Sequence, residues 1–128
     1  MLFLSLHQAV IVASLGATAF VVFATPSSVV AKARNVLGGY VVGILTGAVF
    51  TLIPHDGFFM TAIIYSLAVG LSIFIMVLTD TEHPPASGVT LGVVIQGFSL
   101  KVSLATLASI VILVLIHRVF RRYLKDLV

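Results

Sequence analysis

The chain has 128 residues, 60% hydrophobic and only 9% charged, with a formal net charge of +3 and no cysteine. Its mean hydropathy of +1.25 lies far above that of a soluble domain, which excludes soluble enzymes and soluble binding modules as classes. The missing cysteines exclude disulfides, thiolate metal sites and cysteine nucleophiles.

No Asp, Glu, Lys or Arg occurs in residues 1–31, 35–55 or 57–79. Each run matches or exceeds the ~20 apolar residues that cross a hydrocarbon core, so the bilayer is the solvent. Because such runs recur along the chain, the first one is not a secretory signal. Span one is expected from Leu2 to Ala24, ended by Thr25-Pro26-Ser27-Ser28. A short polar link carries Lys32 and Arg34, and Asn35 suits the N-cap of a second span from Val36 to Ile53. Pro54-His55-Asp56-Gly57 is turn chemistry, which makes a tight hairpin with the third span, Phe58 to Thr79.

Beyond Thr-Glu-His-Pro-Pro lie two apolar pieces. One helix from Pro85 to His117 would measure ~50 Å against a core of ~30 Å, so the chain must break near Gly97-Phe98-Ser99. The result is a short embedded helix (residues 86–98) and a final span from Val102 to Ile116, lengthened by snorkelling of Lys101 and His117. The expected fold is an all-α polytopic bundle of four to five membrane-embedded helices in one transmembrane domain (residues 1–128). Its short helix either crosses or re-enters. Crossing places Lys32, Arg34 and the basic tail (Arg118, Arg121, Arg122, Lys125) on one side, as the positive-inside rule favours. That rule, rather than nucleic-acid binding, accounts for the basic tail and places the C-terminus in the cytoplasm. Gly16–Val22 and Gly88–Val94 share the pattern GxTxxVV, which five crossings would run in opposite directions, as an inverted repeat requires.

Gly39, Gly43 and Gly47 recur every four residues and make a smooth helix face suited to close packing, within or between protomers. Ala9, Ala13 and Ala17 form a similar stripe on span one. In Asp80-Thr81-Glu82-His83-Pro84-Pro85-Ala86-Ser87-Gly88, His83 suits an N-cap and Pro84 the first helical position. The prolines force a break before a helix that opens with small residues. Backbone N–H groups of Ala86, Ser87 and Gly88 are expected to lie at the positive end of its dipole, a natural anion site. His83 reads either as part of a solvated interfacial cap or as a titratable ligand. Asp80 and Glu82 would repel an anion unless paired, and Lys32 and Arg34 are the available partners. His55-Asp56 reads as turn structure and His117 as an interface anchor. Four histidines without HxxxH spacing point to no metal, and no serine nucleophile has a base, so neither enzyme nor cofactor is expected.

These stretches resemble the HPP family of integral membrane proteins, named for the triplet that stands here as His83-Pro84-Pro85. LGATAFVVFATPSSVVAKARNVLGGY is similar to the family's first signature and HPPASGVTLGVV to its second. Ala33 stands where the family usually has a proline, and Tyr40 replaces the usual histidine after Gly38-Gly39. Against that pattern the chain is expected to begin late, lacking an upstream helix that many members carry. Plastid and cyanobacterial members are associated with nitrite transport. The resemblance therefore implies a multi-pass plasma-membrane transporter or channel for a nitrite-like anion, with Lys32, Arg34, Asn35 and the residues from His83 to Gly88 as the anion site. A chain this small is expected to form a homo-oligomer. A non-transporting membrane module (assembly subunit, anchor or sensor partner) and a membrane metalloenzyme are the alternatives.

Overall fold

A computed structural model describes residues 6–127. Residues 2–5 of the expected first span lie outside this range. Five helices follow in order: α1 (Leu6–Ala24), α2 (Ala33–Phe50), α3 (Phe58–Leu78), α4 (Pro84–Gln96) and α5 (Leu100–Phe120). Single 3-10 turns at Val29–Ala31 and Arg121–Tyr123 precede α2 and follow α5. The all-helical bundle expected from the sequence is what forms. By length and composition α2, α3, and α5 with its closing turn are each able to cross a bilayer.

Boundaries shift where local hydrogen bonding decides them. Lys32 has extended backbone angles, and its carbonyl takes the first helical bond, from Val36 N–H at 3.0 Å. That starts α2 at Ala33 and places Asn35 inside the first turn, so Asn35 is not the N-cap. The break before α5 falls where length required it, at Gly97, whose φ of 84° ends α4. Ser99 caps α5, its hydroxyl accepting from Val102 N–H at 3.4 Å. The last helix is then longer than the sequence suggested and carries Arg118 within it.

Successive helices alternate in direction around α4. Positions facing α4 climb together on α2. A Cβ on Gly39 would meet His83 Cβ at 2.9 Å, one on Gly43 the Ala86 carbonyl oxygen at 2.6 Å, and one on Gly47 Val93 Cβ at 2.8 Å. Helices α2 and α4 are thus parallel. Against α1 the order reverses, with Gly88 on Ser14 and Gly92 on Ile11, so α1 and α4 are antiparallel. The two GxTxxVV segments therefore run in opposite senses as an inverted repeat demands, but their surroundings differ. Gly16 has open space where Gly88 has Ser14.

All five helices supply the core, which includes Val22, Tyr40, Met76, Val89 and Ile110. Helix α3 buries only Ile64, Ala68, Ser72 and Met76, one residue per turn. Its remaining surface, with Phe58, Phe59, Phe74 and Leu78 exposed, has the apolar character of a lipid-facing side. One end of the bundle gathers the close of α1, the starts of α2 and α4, and the tail after α5; there Leu127 N–H donates to Ala24 O at 2.9 Å. We call this the basic end.

The glycine stripe yields a direct test. Gly43→Ala sets a methyl against backbone carbonyl oxygen, which cannot rotate away, and is expected to destabilise by about 1–3 kcal/mol. Gly70→Ala, with nothing within 4 Å of its Cβ, should be neutral or stabilising by up to about 1 kcal/mol. Thermal unfolding of the two variants in one detergent compares them.

Candidate functional site

The two signature stretches, about 45 residues apart in sequence, fold onto each other at the basic end. Helix α3 closes with Asp80 at φ 56°. Thr81 N–H reaches back to Met76 O at 2.9 Å and Asp80 N–H to Val77 O at 3.3 Å, a Schellman closure with Asp in the left-handed place usually held by Gly. The chain then runs extended across the start of α2, with Thr81 seated on Gly38 and His83 on Gly39.

Non-helical backbone within an apolar bundle needs its polar groups paired. Buried Asn35 donates from Nδ2 to Glu82 O at 3.2 Å, Arg34 donates to Thr79 O at 3.2 Å, and Ala86 N–H donates to His83 O at 2.9 Å. Arg34 also pairs with Asp80 at 3.0 Å; both side chains are mostly exposed, so this pair adds little stability. Asn35 and Arg34 thus serve the turn. Lys32 and Arg34 are the partners the sequence offers Asp80 and Glu82, and Arg34 does pair with Asp80; one N–H of Asn35 is spent on Glu82 O, which ties it to the turn.

His83 is fully buried. Its Nδ1 lies 2.7 Å from Val30 O, and a carbonyl only accepts, so Nδ1 carries hydrogen. In the neutral ring Nε2 is then an acceptor, 2.8 Å from Thr18 Oγ1, so Thr18 donates to it. Thr18 in turn accepts from Tyr40 Oη at 2.8 Å. The chain of donors runs Tyr40 to Thr18 to His83 to Val30 O, joining α2, α1, the α4 cap and the segment before α2. A proton added at Nε2 would turn that nitrogen from acceptor to donor and take away the acceptor of the buried Thr18 hydroxyl. His83 is accordingly held as a neutral positioning residue, not as an exposed cap or an open ligand. Tyr40, at the position where the resembling family has histidine, also packs its ring 5.9 Å from that of His83.

The start of α4 is poorer in donors than its sequence suggests. Pro84 and Pro85 have no N–H, and the Ala86 N–H is paired with His83 O. Ala86 is wholly buried against α2, Ser87 Oγ bonds Pro84 O at 2.8 Å, and Gly88 packs on Ser14. Of the three backbone donors expected for an anion at Ala86, Ser87 and Gly88, the first is thereby spent within the turn. Gly39, Gly43 and Gly47 do pack a helix closely, and the helix is α4 of the same chain.

Lys32 stands apart, exposed and turned toward the other face of the basic end. There it lines a cavity of about 260 Å³ with His117, Arg118 and Arg121. A second cleft of about 510 Å³ lies between α1 and α5, toward the opposite end, with Lys101, Thr106 and Ser109 on its wall. The sequence puts Lys32 and the basic tail on one side of the membrane under five crossings, but no local signal brings them into one cavity with His117, because α5 returns to Lys32 only through the fold. The tail acid Asp126 accepts from Ser27 N–H at 3.0 Å, and this bonding to Ser27 holds its carboxyl below the usual range. Among the described residues, no three His, Asp or Glu side chains gather as metal ligands.

The family model described as "HPP, transmembrane region" matches residues 1–126. A transmembrane protein of Dictyostelium discoideum is 32% identical over 90 residues, covering 69% of this chain and 31% of that protein. The chain therefore spans about a third of that relative's length. No solved structure matches.

The donor chain predicts coupled losses. Thr18→Val leaves His83 Nε2 and Tyr40 Oη without partners and should destabilise by about 1–3 kcal/mol, and Tyr40→Phe by about 1 kcal/mol. The double variant is expected to lose less than the sum, since both act on one network. Chemical denaturation in micelles measures the cycle, and strict additivity would contradict the network.

Proposed function

The chain belongs to the HPP transmembrane-region family, and on that premise we propose that it moves a small inorganic anion, nitrite in the first instance, across a plasma membrane without covalent chemistry. One observation carries this reading. The cleft on the seam between α1 and α5 bears Lys101 at one level, the cavity that continues it between α5 and the start of α2 bears Lys32, Arg118 and Arg121 at the other, and no acid lines either. Cationic walls of low dielectric concentrate anions and raise their rate of capture. Thr106 and Ser109 supply polar groups between those levels. The filled contact of α4 with α2 and α1 leaves the seam as the favoured route.

Of seven Lys and Arg residues, all but Lys101 fall at the basic end or on the tail beyond it. The positive-inside rule then sets that end, and the C-terminus, in the cytoplasm. A second copy of the chain would enclose the seam from the lipid side. The exposed Ala9, Ala13 and Ala17 supply the small-residue surface for that contact, since the glycine stripe is already occupied. The donor-poor start of α4 favours a second reading, in which the bundle is a non-transporting module that anchors or assembles another protein.

Nitrite flux into proteoliposomes separates the two. Wild type is expected to exceed empty liposomes, Ala105→Trp to fall to their level by filling the seam, and Lys101→Gln to lose about tenfold at low salt and less at high salt. Wild-type flux equal to that of empty liposomes would leave the module reading standing. Equal flux in all three proteins would move the route off the seam.

A further inference from the structure

The cavity at the basic end has features beyond a mouth for small ions. Its charged lining residues, Lys32, Arg118 and Arg121, are all cationic, while Val114 and Pro26 make an apolar wall beside them. The nearest tail acid, Asp126, is held on Ser27 N–H and does not line it. The fourth polar lining residue is His117, only 7% exposed. Its ring stands edge-on to Phe23 with centroids 6.3 Å apart, and its Nε2 is buried without a hydrogen-bond partner. A buried imidazole nitrogen left unpaired is costly, and an oxygen-rich ligand in this cavity would relieve the shortfall by engaging the ring.

From these observations we infer that the cavity is a binding site for a phosphate group, its oxygens held by the Arg118 and Arg121 guanidinium groups and the Lys32 ammonium, with His117 beneath. Guanidinium forks match phosphate geometry, and three cations offset its charge. The group comes from one of two sources: the headgroup of an anionic phospholipid, whose chains would lie along the Val114 side, or free phosphate. The apolar wall, at the level where headgroups meet a helix end, favours the lipid. This site goes beyond the transport reading. It is read by binding alone, so it stands or falls whether or not the protein carries nitrite.

The test is a titration of the delipidated full-length chain in micelles, followed by native mass spectrometry for lipid and calorimetry for inorganic phosphate. One phosphatidylglycerol per chain should bind saturably, with little uptake of phosphatidylcholine. Arg118→Gln and Arg121→Gln should each weaken it about tenfold or more. His117→Phe keeps the ring packed on Phe23 but removes its nitrogens, and should weaken binding without lowering the unfolding midpoint. Arg122→Gln, whose guanidinium lies over Tyr123 and outside the cavity, should bind as wild type. Saturable inorganic phosphate with the same variant pattern, and no lipid uptake, would sustain the site and name free phosphate as its source. Absence of saturable binding by either form, or equal weakening by Arg122→Gln, would overturn it.

Discussion

A chain that leaves helical geometry among apolar helices must pair every backbone group it frees, and the rest of this bundle is arranged around that requirement at residues 79–83. Thr79 O, Glu82 O and His83 O each find a donor, from Arg34, Asn35 and Ala86 respectively. Two of these donors sit in the first turn of α2, which therefore has to lie directly beside the extended segment. Gly38 and Gly39 allow that approach, and Gly43 and Gly47 continue it along α4. His83 ties the same segment to α1 through Thr18 and to the connection before α2 through Val30. The His-Pro-Pro triplet is thus the point where four parts of the chain are locked in register. The prolines suit it because they end the extended run and start a helix without adding N–H groups that would need partners.

Helix α4 has 13 residues and measures about 20 Å. Residues 81–83 add little depth, because Thr81 sits on Gly38 and His83 on the next residue of α2, Gly39. From there α4 follows α2 past Gly43 and Gly47, and α5 starts back from the far end beside Gln8 of α1. The tightness of this arrangement also divides labour. Neutral, buried groups surround α4, whereas Lys32, Lys101, Arg118 and Arg121 gather along α5. The signature residues build the scaffold, and the proposed anion chemistry falls to Lys101, Arg118 and Arg121 outside the signature, joined by Lys32 from within it.

Much of the fold was legible from spacing and punctuation. The third span was expected from Phe58 to Thr79 and forms as Phe58–Leu78; the break at Gly97 followed from the thickness of a bilayer, and His83 before Pro84 followed from cap chemistry. These are local or length-limited properties, which a sequence carries directly. The misplaced roles share one physical origin. Asn35 has the side chain of an N-cap, but its partner is a carbonyl 47 residues away. His83 has the side chain of a ligand, but Thr18, 65 residues away, takes its Nε2. Likewise, one of the orphan donors expected at the α4 start, the Ala86 N–H, bonds His83 O within the turn. Tyr40 carried one readable hint: an aromatic hydroxyl where the resembling family has histidine signals a buried polar partner, though not which one. The grouping of Lys32 with His117 carried none.

The central claim is that α4 runs from the basic end to the opposite end of the bundle, parallel to α2. Because the chain has no cysteine, single Asp80→Cys, Phe98→Cys and Asp56→Cys variants can be labelled in oriented vesicles with a membrane-impermeant maleimide. The account predicts that Phe98→Cys and Asp56→Cys react from one side of the membrane and Asp80→Cys from the other. Labelling of Asp80→Cys and Phe98→Cys from the same side would contradict it, making α4 a re-entrant helix.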